Sequence, residues 1–223
     1  MSRRGYGQYC GIARALELVG ERWALLVVRD LILGPKRFGD LRRGLPRIPS
    51  NVLSARLKEL ERDGIVRRRL LPQPERGIVY ELTEYGRELE DIVIRLGLWG
   101  VKALGEQGPD EIVNADSLQL ALRSMFDPDA ARDLQARFEV RVGETVVNAR
   151  VDHGALDVGE GALAEADLVL ETEQPLNPLL SGELEPREAI ESGRVRIKGT
   201  CESLERFVEI FHVTSARYAL PPA

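Results

Sequence analysis

The chain has 223 residues, 43% hydrophobic and 30% charged, with a formal net charge of -5. That length fits two domains of ordinary size. No stretch approaches the ~18 to 20 uninterrupted apolar residues of a membrane helix, and Met1-Ser2-Arg3-Arg4 lacks the apolar core of a signal peptide, so a cytoplasmic protein without a membrane partner is expected. In chain order, a first helix carries Ile12, Leu16 and Val19 on one side. Arg37 to Arg43 reads as a short helix stopped at Gly44, and Leu45 to Ile48 as a turn. Pro49 to Gly64 is a longer helix, with proline near its start and glycine just past its end.

Leu53, Leu57 and Leu60 recur at helical spacing and make the inward stripe of that longer helix. At about 100° per residue, Asn51, Ala55, Lys58 and Arg62 lie opposite, with Ser54 on the flank. The outward surface of the first two turns is small, polar and cationic. That suits a helix entering the major groove of DNA, where bulk is excluded and amide or hydroxyl groups address base edges. Ser50, Asn51, Ser54, Ala55 and Lys58 are therefore candidate DNA-binding residues.

Two β-prone runs follow, Ile65 to Leu71 and Ile78 to Thr83, separated by Pro72-Gln73-Pro74-Glu75-Arg76-Gly77, whose prolines and glycine make a hairpin tip. Arg67, Arg68 and Arg69 lie on the first strand and Arg76 on the tip, positions from which arginine reaches phosphates or a minor groove. Arg68 and Arg76 are the candidates here. An arginine-rich hairpin alone also fits an edge strand kept soluble by charge. Joined to a recognition-like helix by Asp63-Gly64, it points to a winged helix-turn-helix.

From about Glu84 to Leu104 a long helix is expected, with Thr83 as its cap. Leu89, Ile92, Val93, Leu96, Trp99 and Leu104 form an apolar stripe too wide for a small winged domain to cover, so it packs on its own domain, on a second subunit, or on both. The candidate interface of a symmetric homodimer is Ile12, Leu16, Val19, Leu89, Ile92, Leu96 and Trp99.

Gly105-Glu106-Gln107-Gly108-Pro109-Asp110 reads as a linker. After it comes a helix over Asp116 to Phe126, then strands with Phe138, Val140 and Val142 on one face and Val147, Ala149 and Val151 on the next, joined through Gly143-Glu144. Shorter strands are predicted at Leu156 to Val158 and Leu168 to Leu170. A helical stretch runs from about Pro175 to Leu180 and ends at Gly182. Ala189 and Ile190 lie on another helix, Val195 and Ile197 on a last strand, and Leu204, Phe207, Val208 and Phe211 on a closing amphipathic helix.

Charge divides with the pattern. Residues 1 to 104 hold 20 Lys and Arg against 13 Asp and Glu, while the rest of the chain is strongly acidic. Nonspecific DNA affinity comes from cations meeting phosphates, so the first half must carry it. Chemistry of other kinds is poorly supported. Cys10, Cys201, His153 and His212 do not have metal-ligand spacing, and neither a metal nor a cofactor is expected. No serine has a His/Asp pair, there is no phosphate loop, and Asp152, Asp157 and Glu160 fall among turns; no catalytic residue is assigned and an enzyme is not expected.

Two family resemblances extend this reading. The runs Cys10 to Trp23, Leu25 to Leu31, Phe38-Gly39-Asp40-Leu41, Leu53-Ser54-Ala55-Arg56-Leu57 and Tyr80-Glu81-Leu82-Thr83 resemble the HxlR-type family of small bacterial winged-helix regulators, over about the first 105 residues. Gly11 departs from the proline common after the cysteine. The resemblance implies a cytoplasmic homodimer, with helices flanking the core forming its interface, bound to a double-stranded DNA operator. It also implies a possible sensing thiol at Cys10. A thiol at a helix N terminus with Arg14 one turn on is suited to reaction as thiolate; a small buried hydrophobe is the other reading.

The second half is similar to the sterol carrier protein family through Ala166 to Glu171, Leu179 to Ile190 and Ser192 to Gly199. That resemblance implies a five-stranded sheet covered by helices around an apolar tunnel. Leu156, Leu168, Leu179, Leu180, Phe207 and Phe211 would line the tunnel around an apolar small-molecule ligand, although the same residues would also fill the core of a packed module without ligand. The expected fold class is thus α+β: a winged helix-turn-helix over residues 1–105, then a sterol-carrier-like α/β domain over residues 112–219. The expected function is a dimeric DNA-binding transcriptional regulator responsive to an apolar ligand. The alternative is a lipid-binding carrier whose winged domain mediates protein contacts.

Overall fold

The computed structural model describes residues 5–101, 103–105, 107, 108 and 111–212. The chain divides into two compact units, Met1–Trp99 and Gly100–Ala223. The first opens with α1 (Gly11–Val19) and α2 (Ala24–Ile32). In α2 the apolar residues Val27, Val28 and Leu31 are buried, and with them Asp30, which takes the Nε–H of Arg29 at 2.8 Å.

A two-residue strand, β1 (Lys36–Arg37), leads into α3 (Phe38–Gly44). Sequence reasoning placed Arg37 inside this helix; it is instead the extended residue before it, because its backbone pairs with the later hairpin. The amide of Arg37 donates to Asp40 at 3.0 Å, which caps the helix start and, with the Arg43 guanidinium, holds the Asp40 carboxyl below its ordinary range against the opposing effect of desolvation.

The next helix, α4 (Ser50–Arg62), buries Leu53, Leu57 and Leu60, as its periodicity requires. Its exit is tight: Gly64 has φ +72, a conformation that favours glycine. The hairpin β2 (Val66–Leu71) and β3 (Gly77–Leu82) follows, and β1 adds to it to give a three-stranded antiparallel sheet of order β1-β3-β2. The long helix expected from Glu84 is divided at Glu88 into α5 (Glu84–Arg87) and α6 (Leu89–Val101). Thr83 caps it as anticipated, its side chain accepting from the Gly86 amide at 3.0 Å.

The two units divide within the last turn of α6, and the stretch read as a linker, 105–110, of which 106, 109 and 110 lie outside the described residues, follows that helix. The second unit starts with α7 (Ala115–Met125), capped by the Asn114 side chain, which accepts from Ser117 N at 2.7 Å. Then come β4 (Gln135–Val142), β5 (Thr145–Asp152), β6 (Ala155–Glu160) and β7 (Leu168–Thr172). Two short helices, α8 (Asn177–Leu180) and α9 (Pro186–Glu191), precede β8 (Arg196–Lys198) and α10 (Cys201–Ile210). Val195 stands just outside β8, and Phe211 just past α10 in a bridge to Phe126. The sheet has five strands in order β6-β5-β4-β7-β8, with β4 and β7 parallel and the other pairs antiparallel.

Strand alternation gives this sheet two unlike faces. Phe138, Val140, Val142, Val147, Ala149, Leu168 and Leu170 belong to the core together with residues of α7 and α10. On the other face, the connection from β6 to β7 is held by the Leu163 amide, which donates to Glu139 at 2.7 Å, and by Asn148, whose amide nitrogen donates to the Gly161 carbonyl at 2.9 Å. Asp157 and Glu160 lie on β6 rather than in turns, and Arg150 donates to Asp157 at 3.2 Å. The resemblance's stretch runs to residue 219, and 213 onward lies outside the described residues. No described helix is long and apolar enough to cross a membrane, and the described residues contain no group of three or more His, Cys, Asp or Glu placed to hold a metal ion.

Candidate nucleic-acid interface

Burial of Leu53, Leu57 and Leu60 fixes the rotation of α4, and the opposite surface follows from it. Asn51, Ala55 and Lys58 are exposed opposite that stripe, Ser54 is half-buried on its flank, and Ser50 is exposed as the first residue of the helix rather than on the outward side. Arg62 is also exposed, but its guanidinium is turned to Asp63 at 3.2 Å. Between the reading residues, Arg56 packs lower and joins Glu59, and it lies 3.6 Å from Glu21.

The hairpin sorts its arginines by strand parity, a distinction that composition could not supply. Arg67 is paired directly with Glu81, and Arg69 with Val79, which in turn faces Arg37 across the sheet. Directly paired residues place their side chains on one face. Glu81, only 5% exposed, accepts from Nε of Arg67 and from Nε of Arg69, each at 2.8 Å. Those bonds, that of Arg69 first, hold the Glu81 carboxyl below its ordinary range. Arg68 points to the other face and donates from Nε to Glu61 of α4 at 2.8 Å.

Arg76 is exposed at the tip, as expected. What sequence reasoning missed is how the tip is held. Arg37 donates from Nη2 to the Glu75 carbonyl at 2.6 Å and from Nη1 to the Arg76 carbonyl at 3.3 Å. A side chain at Gly77 would press on that guanidinium, 2.8 Å from Nη1. Bonds spanning 38 and 39 residues leave no local signal. Glu81 was open to discovery, because the register of the hairpin places it across from Arg67.

Of the candidate dimer residues, Ile12, Leu16, Ile92, Leu96 and Trp99 are exposed, with Ile12 at 73% and Trp99 at 67%. Leu89 is half-buried. Val19 is buried within its own chain, since it ends α1 where the backbone turns at Gly20 toward α2. Cys10 directly precedes α1 and is exposed, which overturns the buried-hydrophobe reading. The amides of Ala13 and then Ile12 hold its thiol below the ordinary value. Arg14 is not the cause: its guanidinium donates to Glu17 at 2.9 Å.

The six residues expected around a tunnel are placed in or against one core. Leu168, Leu179, Leu180, Phe207 and Phe211 are buried in it and Leu156 packs against it. Phe138 meets Phe207 edge-on at 5.3 Å, and Phe207 and Phe211 approach at 4.8 Å, so these rings fill space against one another. A cleft beside Thr172, Leu176, Leu179 and Val195 has a volume of ≈ 20 Å³. Ligand sites for molecules of drug size measure ~300 Å³ or more.

Residues 18–108 match the family model described as HxlR-like helix-turn-helix. The chain is 37% identical over 93 residues to the HTH-type transcriptional regulator YdeP of Bacillus subtilis, covering 42% of this chain and 73% of that protein. It is 44% identical over 113 residues to an HTH-type transcriptional regulator of Mycobacterium tuberculosis, covering 49% of this chain and 68% of the other. Among solved structures, the oxidized form of the redox regulator HypR aligns at 39% identity and a TM-score of 0.40, over 42% of this chain and 96% of that one.

Proposed function

The chain belongs to the HxlR-like helix-turn-helix family, and on that premise we propose that it is a DNA-binding regulator of transcription whose α4 enters the major groove of an operator. Its relatives YdeP and YodB of Bacillus subtilis are HTH-type transcriptional regulators. The observation that carries the proposal is the division of α4. Leu53, Leu57 and Leu60 hold one side in the core, Asn51, Ala55 and Lys58 are left along the other, Ser54 stands on the flank, and Ser50 is exposed at the start of the helix. Asn51 can form a bidentate contact with adenine, Ser54 a single one, and Lys58 supplies charge. Arg76 extends the contact at the hairpin tip.

The protein acts as a symmetric dimer in this reading, with Ile12, Leu16, Ile92, Leu96 and Trp99 as the covered surface. Five exposed large apolar side chains on two helices favour a partner. A second copy puts two α4 helices on one face of DNA about one helical turn apart, which calls for a near-palindromic site. Cys10 is a candidate switch because it is exposed and its thiol is tuned toward thiolate.

For the second unit, the ring-on-ring packing favours a solid module over a preformed tunnel. An apolar effector would have to open that core and bind the DNA-competent and incompetent states unequally. Selection from a random duplex library followed by mobility shift tests the central reading: an enriched, near-palindromic site is expected, and failure to enrich any sequence would overturn it. Native mass spectrometry with added fatty acids tests the effector, and a protein that takes up none while binding its site normally leaves the second unit without that role.

A further inference from the structure

We propose that the face of the hairpin bearing Arg67 and Arg69 is a binding site for the phosphodiester backbone, with the buried Glu81 carboxylate positioning both guanidinium groups. The proposal rests on the DNA-binding reading above and moves the backbone contact from Arg68 to the opposite face of the sheet.

Strand register supplies the geometry. Arg67 and Glu81 are direct partners, and Arg69, Val79 and Arg37 form the next row on the same face. Each of Arg67 and Arg69 gives its Nε–H to one oxygen of Glu81 at 2.8 Å. A guanidinium has five N–H groups, so this use leaves the end-on pair that grips a phosphate bidentately. The two arginine side chains are 64% and 43% exposed, whereas that of Glu81 is 7% exposed. Solvent and ligand therefore meet the cations while the carboxylate stays beneath them.

Charge decides between the two faces. One carboxylate shared by two guanidinium groups leaves an uncompensated positive charge, and Arg37 adds a second on the same face. Arg37 has spent its own fork on the carbonyls of Glu75 and Arg76, so it holds the tip beside the pair. On the other face Arg68 is matched by Glu61, and Lys36, in the same row across Tyr80, acts on the Asp40 carboxylate, so cations and carboxylates balance there; the strand neighbour Leu70 is exposed with its partner Ile78. Holding two long side chains in place before binding also reduces the ordering that a phosphate contact must otherwise cost.

The experiment is the salt dependence of binding to a random-sequence duplex, where the phosphate term dominates. The slope of log affinity against log salt should fall in magnitude by about 1.8 in Arg67→Ala/Arg69→Ala, at about 0.9 for each phosphate that is no longer neutralised. It should return in Arg67→Lys/Arg69→Lys and stay unchanged in Arg68→Ala. Should the alanine pair fail to fold, phenylglyoxal modification of the wild-type protein serves instead, with DNA expected to protect Arg67 and Arg69 and to leave Arg68 reactive. Glu81 is read separately by NMR: the slowly exchanging Nε–H signals of Arg67 and Arg69 should both shift and exchange faster in Glu81→Gln, which keeps a single uncharged acceptor oxygen for the two, while that of Arg68 persists. Retention of the full slope by the folded alanine pair, loss of slope in Arg68→Ala, protection of Arg68 alone, or Nε–H signals indifferent to Glu81→Gln would overturn the proposal. A wild-type protein that binds no duplex at all would overturn the DNA-binding reading itself.

Discussion

The hydroxyl of Thr83 donates to the Gly64 carbonyl at 2.5 Å and accepts from the Gly86 amide at 3.0 Å, so the exit of α4, the end of the hairpin and the start of α5 are pinned at one side chain. Gly86 completes the joint, because a side chain there would strike the Ile65 carbonyl. Thr83→Ala should lower stability by about 1 to 2 kcal/mol, the loss of a cap plus a partner for a carbonyl. Thr83→Ser should keep most of it, and Gly86→Ala should cost more than Thr83→Ala. Urea unfolding of the three variants checks the order, and equal midpoints for Thr83→Ala and wild type would remove the joint from the fold's support.

Asn51 is exposed on the outward side of α4. Asn51→Ala should cost about 1 to 3 kcal/mol on the selected site and little on random DNA. Titration of both duplexes measures the difference. An equal loss on the two would take Asn51 off the base-reading surface.

Glu81 makes stability depend on pH. Its folded pKa lies below the ordinary 4.5, chiefly through the bonds from Arg69 and Arg67, so its contribution is fully present above the unfolded value and is lost as pH falls through the folded one. Wild type should therefore exceed Glu81→Gln in stability at neutral pH, and the gap should shrink once pH drops below 4.5. Thermal unfolding across that range reads it. A gap that stays constant with pH would mean that the carboxylate's charge is not what holds the arginines.

Leu96 and Trp99 are exposed on α6. Leu96→Glu or Trp99→Glu should give a folded monomer with weakened operator binding, read by analytical ultracentrifugation and mobility shift. A folded monomer that still protects a full-length site would separate dimerisation from DNA binding.

Cys10 should be alkylated at neutral pH faster than an unperturbed thiol, because the amides at the start of α1 favour its thiolate. If the thiol switches DNA binding, low concentrations of electrophile release DNA from wild type and not from Cys10→Ser. Release from both would point to Cys201 or to general damage.

Much of this was legible in the chain itself. The leucine spacing of α4 alone fixed which side faces the core, because helical geometry ties residue number to angle. Thr83 followed from its place before a helix, and the five strands of the second sheet from apolar alternation and from glycines at turns such as Gly143, with φ +55. These features depend on residues near one another in sequence. Tertiary structure decided what depends on residues far apart: that Arg37 leaves its helix to pair with β3 and grip the tip, that Glu81 serves two arginines while Glu61 serves the third, and that Phe207 and Phe211 close on Phe138. Local periodicity says that a side chain points inward or outward, whereas which carboxylate meets which guanidinium, and whether inward rings line a space or fill it, is settled only when distant segments share a surface.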